Sequence, residues 1–412
     1  MLNKNNEREL AYVVKIDNIT PIEGYDRVEL AHVGGWTIVV GKGEFNIGDP
    51  AIYFEIDSQL PEVKPFTDME FLAKKHYKIK TQKMCKRISQ GLLMSAANFG
   101  WMIRHIMDDN NSILGIVDNK GNLHSSNDES RFLTKQLNIT YAIPEDNKRK
   151  ASSPDKYKKM ASRHPKLFTK KPIRWLYKKN WGKKLLFVFF GKKKDKREWP
   201  QWVTKTDEER IENLPYLFQD KSEWIATEKI DGTSTTFTIK RNKRLGKDDF
   251  YICSRNVVFD KPDKNCYYDT NVYVEMAEKY HIYEKMKFLL NKVFCDCEWV
   301  TIQGETYGEG IQKHNYSIKE HNFMAFNLIT SKDGRLNSVR MRNVLERYFS
   351  IPCVPILNEH YVLPNTLDEL REYVDSETSV IDGSMREGIV FRSPDGIRSF
   401  KCVSPNYLLI YH

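Results

Sequence analysis

The chain has 412 residues, with 65 Lys+Arg against 55 Asp+Glu, a formal charge of +10 and 40% hydrophobic residues. Apolar side chains in that supply exclude global disorder, and the length suits two or three domains. The longest aliphatic or aromatic run is Leu185 to Phe190, far short of the ~20 residues a membrane-spanning helix needs. The stretch from Met1 to Leu10 is polar and mixed in charge, which is not a secretory signal. The cysteine count is seven, an odd number, and no CxxC pair occurs. Cys295 and Cys297 are one residue apart, which suits neither structural zinc nor an ordinary disulfide. The expectation is a soluble protein of a reducing, cytoplasmic compartment without a membrane partner.

In chain order, residues 8 to about 100 read as short strands: Ala11 to Ile16, Arg27 to Val33, Trp36 to Val40 and Ala51 to Ile56. Turn signals separate them, among them Gly34-Gly35, Gly41-Lys42-Gly43 and Gly48-Asp49-Pro50, and that spacing predicts a small barrel or sandwich. Residues 103–147 are polar, acidic in places, and end near Pro144. The segment from Lys148 to Arg197 then holds 20 Lys+Arg and two acids, a local charge of +18, so the rest of the chain sums to −8. Rings are interleaved with this charge: Tyr157, Phe168, Trp175, Tyr177, Trp181, Phe187, Phe189 and Phe190. Cations that neutralise phosphates, alternating with rings that stack on bases, make a nucleic-acid surface. A solvated linker is the plain alternative, and Lys183 to Lys194 is a candidate for a basic patch on a membrane surface.

From about 200 onward strands and helices intermingle. Apolar periodicity predicts helices over 272–290 and 339–348, and a third after the capping box Thr366-x-x-Glu369. Strands are expected at Ser234 to Ile239, Phe250 to Cys253, Trp299 to Ile302, Phe323 to Ile329 and Gly388 to Arg392. No βαβ repeat or internal repeat emerges, so the class is α+β.

The sharpest local signal is Glu228-Lys229-Ile230-Asp231-Gly232, a lysine between two strand-like runs. Alone it reads equally well as a hairpin turn beside an exposed lysine. Downstream, however, come Ser254-Arg255-Asn256, Gln303-Gly304-Glu305, Phe323 to Asn327, Arg386-Glu387-Gly388 and Ser399-Phe400-Lys401. Each sets a charged or aromatic residue in an apolar, strand-like context, where a salt-bridged structural carboxylate is the competing explanation.

In this order the set resembles the covalent nucleotidyltransferases, the superfamily of ATP-dependent ligases and RNA capping enzymes, over Trp224 to Asn406. The resemblance implies that Lys229 attacks the α-phosphate of a nucleotide. Its amine must then be deprotonated although a free lysine has a pKa near 10.4, and a divalent metal is the strongest neighbour for that purpose. Asp231, Glu305 and Glu387 are the implied holders of hydrated Mg²⁺ or Mn²⁺. Lys401 would neutralise the α-phosphate, Phe326 would stack on the adenine, Glu305 would also reach the ribose, and Arg255 would face phosphate. Glu228, Ile230 and Gly232 complete the implied nucleotide site around Lys229.

Three features favour one branch. The chain ends eleven residues after Lys401, where DNA ligases and capping enzymes continue into an OB domain. Ile22 to Glu29, Gly48 to Glu55 and Ile88 to Leu93 look instead like the N-terminal OB module of ATP-dependent, nick-sealing RNA ligases. Lys205 to Asn213 is similar to a block of those ligases, which implies that Arg210 grips terminal phosphates and Asn213 contacts the adenine; by itself the block is a charged helix start. One departure is Val403, where the family usually has a second lysine; that could slow the chemistry or shift the task to Arg398.

The expected architecture is thus an N-terminal all-β OB barrel (1–125), a basic linker or insertion (126–200), and a nucleotidyltransferase domain (201–412). The last is ATP-grasp-like, built on antiparallel sheets with flanking helices. The expected activity is ATP-dependent sealing of RNA 3′-OH and 5′-phosphate ends, with RNA, in the form of a nicked duplex, as partner to a monomer. A DNA-strand ligase, a GTP-using capping enzyme and a non-catalytic tRNA- or RNA-binding OB protein remain the alternatives.

Overall fold

The computed structural model describes residues 1–108, 111–142, 157, 165–190, 198–242, 248–259, 271–314 and 316–411. Much of the basic segment, including 148–156, 158–164 and 191–197, lies outside the described residues.

The N-terminal body is built around two adjacent strands, Ala11–Lys15 and Pro50–Phe54, paired antiparallel with Ala11 opposite Phe54. Both are buried on both faces, and the two-residue period of a strand sends alternate side chains into two cores. Tyr12, Val14, Ala51 and Tyr53 join Trp36, Ile38 and Val40 in the barrel interior. Ala11, Val13, Ile52 and Phe54 join Leu60, Phe66, Leu133 and Ile139 on the other side. The strands Asn18–Ile22, Tyr25–Val33 and Trp36–Gly41 form a three-stranded meander of their own, which packs on the core around Tyr12 and Tyr53. Residues 103–117, which show no alternation in the sequence, pair as a hairpin: Met102–Asp108 against Asn111–Val117.

The C-terminal body is two facing sheets with helices on the outside, antiparallel except where the edge strand Glu209–Arg210 pairs parallel with Ser399–Val403. The first has the order Glu209–Arg210, Ser399–Val403, Gly388–Arg392, Glu223–Lys229, Ile356–Val362. The second has the order Val258–Phe259, Asp249–Cys253, Thr233–Lys240, Trp299–Tyr307, Asn322–Thr330, Gly334–Arg335. Helices Val272–Lys279 and Ile282–Phe288 cover the second sheet with Val272, Met276, Ile282 and Met286. The periodicity over 272–290 reads as one helix, but the chain turns at His281, whose φ of 50° is left-handed and cannot continue it. The capping box at Thr366 is half formed. Its Oγ accepts from the Glu369 backbone N–H at 3.3 Å, whereas Glu369 reaches back to the N–H of Asn365 rather than of Thr366.

Within the basic segment, helices Lys171–Lys178 and Asn180–Phe190 pack as a hairpin. Among the described residues no helix is long and apolar enough to cross a membrane.

The two bodies meet along a polar seam. Gly35 donates its N–H to the Glu212 carbonyl at 2.7 Å. A Cβ at Gly35 would lie 2.7 Å from the Glu212 Cα, so only glycine permits this approach. Nearby, Ile56 of the barrel packs on Val403 and Leu408.

Candidate active site

Lys229 ends its strand in the first sheet, and Ile230-Asp231-Gly232 carry the chain across to Thr233 in the second. The Asp-Gly pair is therefore a crossing between sheets and not a hairpin. Gly232 is required by crowding, since a Cβ there would lie 2.3 Å from the Thr306 carbonyl oxygen.

Strand register decides what faces the cleft between the sheets. Across the first sheet Arg210 pairs with Lys401, Lys401 with Val390, and Val390 with Thr227. Residues in register point to one face, and all four line the cleft. Lys229 lies two residues beyond Thr227, on the same face. Its partner in register is Gly388, so the preceding residue, Glu387, comes opposite its amine. Both carboxylate oxygens of Glu387 accept from Lys229 Nζ, at 2.7 and 2.6 Å. From the second sheet Glu305 enters opposite Ser234.

This end of the cleft is acidic. Burial, reinforced by Glu387 and Asp231, pushes the Glu305 carboxyl up to about 8 over the opposing pull of Lys229. Burial alone would lower Lys229, but Glu387, Glu305 and Asp231 outweigh it and hold the ammonium form. Glu228 lines the cleft with its carboxylate engaged by Ser379 Oγ at 2.5 Å and the Val380 N–H at 2.9 Å. Ile230, Val354, Val390 and Phe326 give the cleft an apolar wall, with the Arg392 guanidinium 6.0 Å from the Phe326 ring centre.

The other end is cationic. Arg8, Arg210, Arg255 and Lys401 line it, with Asp207 and Tyr141 between them. Burial lowers the Lys401 ammonium to about 8, and repulsion from Arg8, Arg210 and Lys229 adds to it. Burial works to raise the Asp207 carboxyl, but Lys401, Arg255 and Arg8 leave it below its ordinary value, and its carboxylate ion-pairs with Arg255. Arg210 is 5% exposed and lies over the Trp36 ring, and its Nε and Nη1 have no hydrogen-bond partner among the described residues. A buried guanidinium left unsatisfied suits a site that takes an anion.

Two of the expected residues lie away from the cleft lining. Asn213 is not among the residues lining the cleft. Its amide ties the seam, accepting from Trp36 Nε1 at 2.7 Å and donating to Glu209 at 2.8 Å. Arg398 also lies outside the cleft lining, on Asp220 at 2.7 Å and over Trp224. The position where the family usually has a second lysine is Val403, which lines the cleft and packs on Ile56 and Leu408. Arg8 and Tyr141 carry no motif, and nothing in the sequence places them beside Arg255.

The donors around Lys229 are carboxylate oxygens, and burial, with Glu387 and Asp231 adding to it, holds the Glu305 carboxyl up at about 8. No group of three or more His, Cys, Asp or Glu stands ready as a metal cage among the described residues. Hard, anionic and incompletely convergent donors fit a hydrated Mg²⁺ or Mn²⁺ bound partly through its waters.

A lysine at a strand end, carboxylates from both sheets and an apolar wall beside a cationic floor define a covalent nucleotidyltransferase. The family comparisons agree: residues 222–403 match the RNA ligase model, and residues 10–96 match an OB-fold domain model. The chain thus carries an RNA ligase domain behind an N-terminal OB-fold domain. It is similar to Naegleria gruberi RNA ligase solved with pyrophosphate, at 25% identity and TM-score 0.68 over 98% of each chain. A mutant of that ligase with AMP and Mn matches at 25% and TM-score 0.67, covering 97% of this chain and 98% of its own. An apo mutant matches at 25% and 0.68, covering 97% of both. No protein of curated function matches the sequence significantly.

Proposed function

We propose that this ligase uses ATP to seal 3′-OH and 5′-phosphate ends of RNA, with a nicked duplex as its substrate. The observation that carries the reading is Lys229 paired with Glu387 at one end of a cleft whose other end presents Arg8, Arg210, Arg255 and Lys401. In the first step the Lys229 amine attacks the α-phosphorus of ATP. The bond to the bridging oxygen of the β-phosphate breaks, and pyrophosphate leaves from lysyl-AMP. In the second step an oxygen of the RNA 5′-phosphate attacks that phosphorus and the lysine amine departs. In the third the 3′-OH attacks the capped 5′-phosphate and AMP departs, its proton balance closed by solvent. All three are in-line phosphoryl transfers helped by positioning and charge neutralisation.

Asp231, Glu305 and Glu387 would hold Mg²⁺ or Mn²⁺, which when bound neutralises these carboxylates and so favours the free amine of Lys229. Phe326, Ile230 and Val354 offer the adenine an apolar slot. Glu228 and Gly232 frame it, and Glu305 is also within the lining for a ribose contact. Lys401 faces the α-phosphate from the register row it shares with Arg210. Arg8 brings a cation from the N-terminal body to the far end of the triphosphate, with Arg210 and Arg255 beside it.

We divide the chain into an OB domain (1–125), a linking and basic region (126–200) and a transferase domain (201–412). The strap through Leu133 and Ile139 packs on the OB core. The helical hairpin is read as an RNA grip: Lys171, Arg174, Lys178, Lys179 and Lys184 are exposed beside Trp175 and Trp181. A cytoplasmic monomer is the working assumption, in keeping with free thiols at Cys85, Cys295, Cys297, Cys353 and Cys402.

The test is incubation with α-labelled ATP or GTP and Mg²⁺ or Mn²⁺, followed by a denaturing gel, with Lys229→Ala alongside. Label from ATP that is absent in the variant is the expected result, and no label on a folded wild-type protein would overturn the reading. Serine at the five exposed hairpin cations should leave labelling intact and weaken binding to a nicked RNA duplex. The slope of log affinity against log salt should fall by about 0.9 for each phosphate no longer neutralised. Unchanged affinity would retire the hairpin as a grip.

A further inference from the structure

Asp231, the carboxylate two residues past the nucleophile, is 6% exposed and is held from two sides by tyrosines that no motif includes. Tyr316, 1% exposed, accepts the Asp231 backbone N–H on its hydroxyl at 2.6 Å. Tyr407, fully buried on the helix Pro405–Tyr411, donates its hydroxyl to Asp231 Oδ2 at 2.8 Å.

Between the two rings sits His314, with ring centres 4.3 Å from Tyr316 and 5.7 Å from Tyr407. Its Nε2 is 2.9 Å from Ser384 Oγ, and Ser384 donates its single hydroxyl proton to Asp382 at 2.6 Å. The shared contact is then Nε2–H donating to Ser384, which assigns the tautomer of His314. Asp382 and Ser384 belong to the loop that ends in Glu387, the partner of Lys229. One packed cluster thus touches both the grip on Asp231 and the segment that delivers Glu387.

We propose that Tyr407 is a positioning residue for Asp231, fixing the plane of a carboxylate that acts next to Lys229 during adenylylation. The physical need is plain. Asp231 and Glu387 both attract the Lys229 ammonium. A loosely held Asp231 would swing onto that amine as a second counter-ion and leave its place toward the cation site. A hydrogen bond to one carboxylate oxygen from a ring without rotational freedom prevents this. The ring itself is packed on His314 and Tyr411, the latter with ring centres 4.6 Å away.

The inference rests on the reading of Lys229 as the nucleophile, and the test separates the two. Tyr407→Phe keeps the ring and removes only the hydroxyl. Its rate of lysyl-AMP formation at saturating ATP should fall about tenfold or more, as expected for losing a hydrogen bond to a charged group. The half-saturating ATP concentration should stay within about twofold, because the apolar slot is untouched. Mn²⁺ binding without nucleotide, followed by electron paramagnetic resonance, should weaken about threefold or more, since the oriented carboxylate is a would-be ligand. Thermal melting should be near wild type. If the Phe variant does not fold, Tyr316→Phe carries the same test from the backbone side of Asp231.

A wild-type rate and wild-type Mn²⁺ affinity in a folded Tyr407→Phe would overturn this proposal while leaving Lys229 in place. A wild-type protein that takes no label would overturn both.

Discussion

At one end of the cleft Lys229 sits among Glu387, Glu305 and Asp231; at the other Lys401 sits among Arg8, Arg210 and Asp207. Both lysines are withdrawn from water, which by itself disfavours the ammonium of either. Neighbouring charge then separates them. Carboxylates carry Lys229 above the ordinary lysine value, whereas cations add to burial and bring Lys401 down to about 8. Lys229 is therefore held as the ammonium in the resting protein. Its charge is stored in an ion pair with Glu387, and only neutralising the surrounding carboxylates releases the amine.

The harshest way to break this contrast is at the cationic end. Lys401→Ala should lower the rate of lysyl-AMP formation about 100-fold, the usual cost of removing one group that meets developing charge in a closed site. Single-turnover labelling at saturating ATP measures it. Arg8→Ala removes a cation that the other body supplies, further from the α-phosphate, and should cost about tenfold. An unaffected Arg8→Ala enzyme would mean that the N-terminal body takes no part in nucleotide transfer.

The smallest effect is on stability, and it sharpens the comparison because the two ends titrate in opposite senses. The folded Glu305 carboxyl is raised to about 8 from an ordinary 4.5. The stability it contributes is complete below about 4.5 and is lost as pH rises through about 8. The folded Lys401 ammonium is lowered to about 8 from 10.5. Its penalty is complete below about 8 and is relieved as pH rises toward about 10.5. Melting curves in chelator without nucleotide should therefore show Glu305→Gln gaining on wild type between pH 5 and pH 8. Lys401→Met should be more stable than wild type at neutral pH, and its advantage should shrink between pH 8 and pH 10. Parallel curves for wild type and both variants would show that neither end is under the strain described.

Several elements are legible in the sequence for a local reason. The strand signal in Ala11–Lys15 and Pro50–Phe54 survives because β-branched and aromatic residues fill both faces, one in the barrel interior and one against Leu60, Phe66, Leu133 and Ile139. The Thr366 cap is likewise set by neighbours a few residues away. The hairpin Met102–Asp108 with Asn111–Val117 is illegible because polar residues interrupt its pattern. One long helix is expected from 272, and two form, because apolar spacing continues across a break made by backbone conformation at His281.

For the site, the order Lys229, Asp231, Glu305, Glu387, Lys401 is readable because one chemistry constrains residue type within short strand-bound motifs. The sequence by itself thereby determined the class of fold and singled out Lys229 and the carboxylates near it. Tertiary structure alone decided the rest. It brought Arg8 and Tyr141 to the cleft beside Arg255. It also placed Asn213 on the seam with Trp36 and set Tyr316 and Tyr407 on Asp231. The physical reason is sequence distance. Tyr407 and Asp231 are 176 residues apart and Trp36 and Asn213 are 177 apart, so no local period couples them. Their contacts exist only once two sheets have faced each other and two bodies have closed on a shared seam.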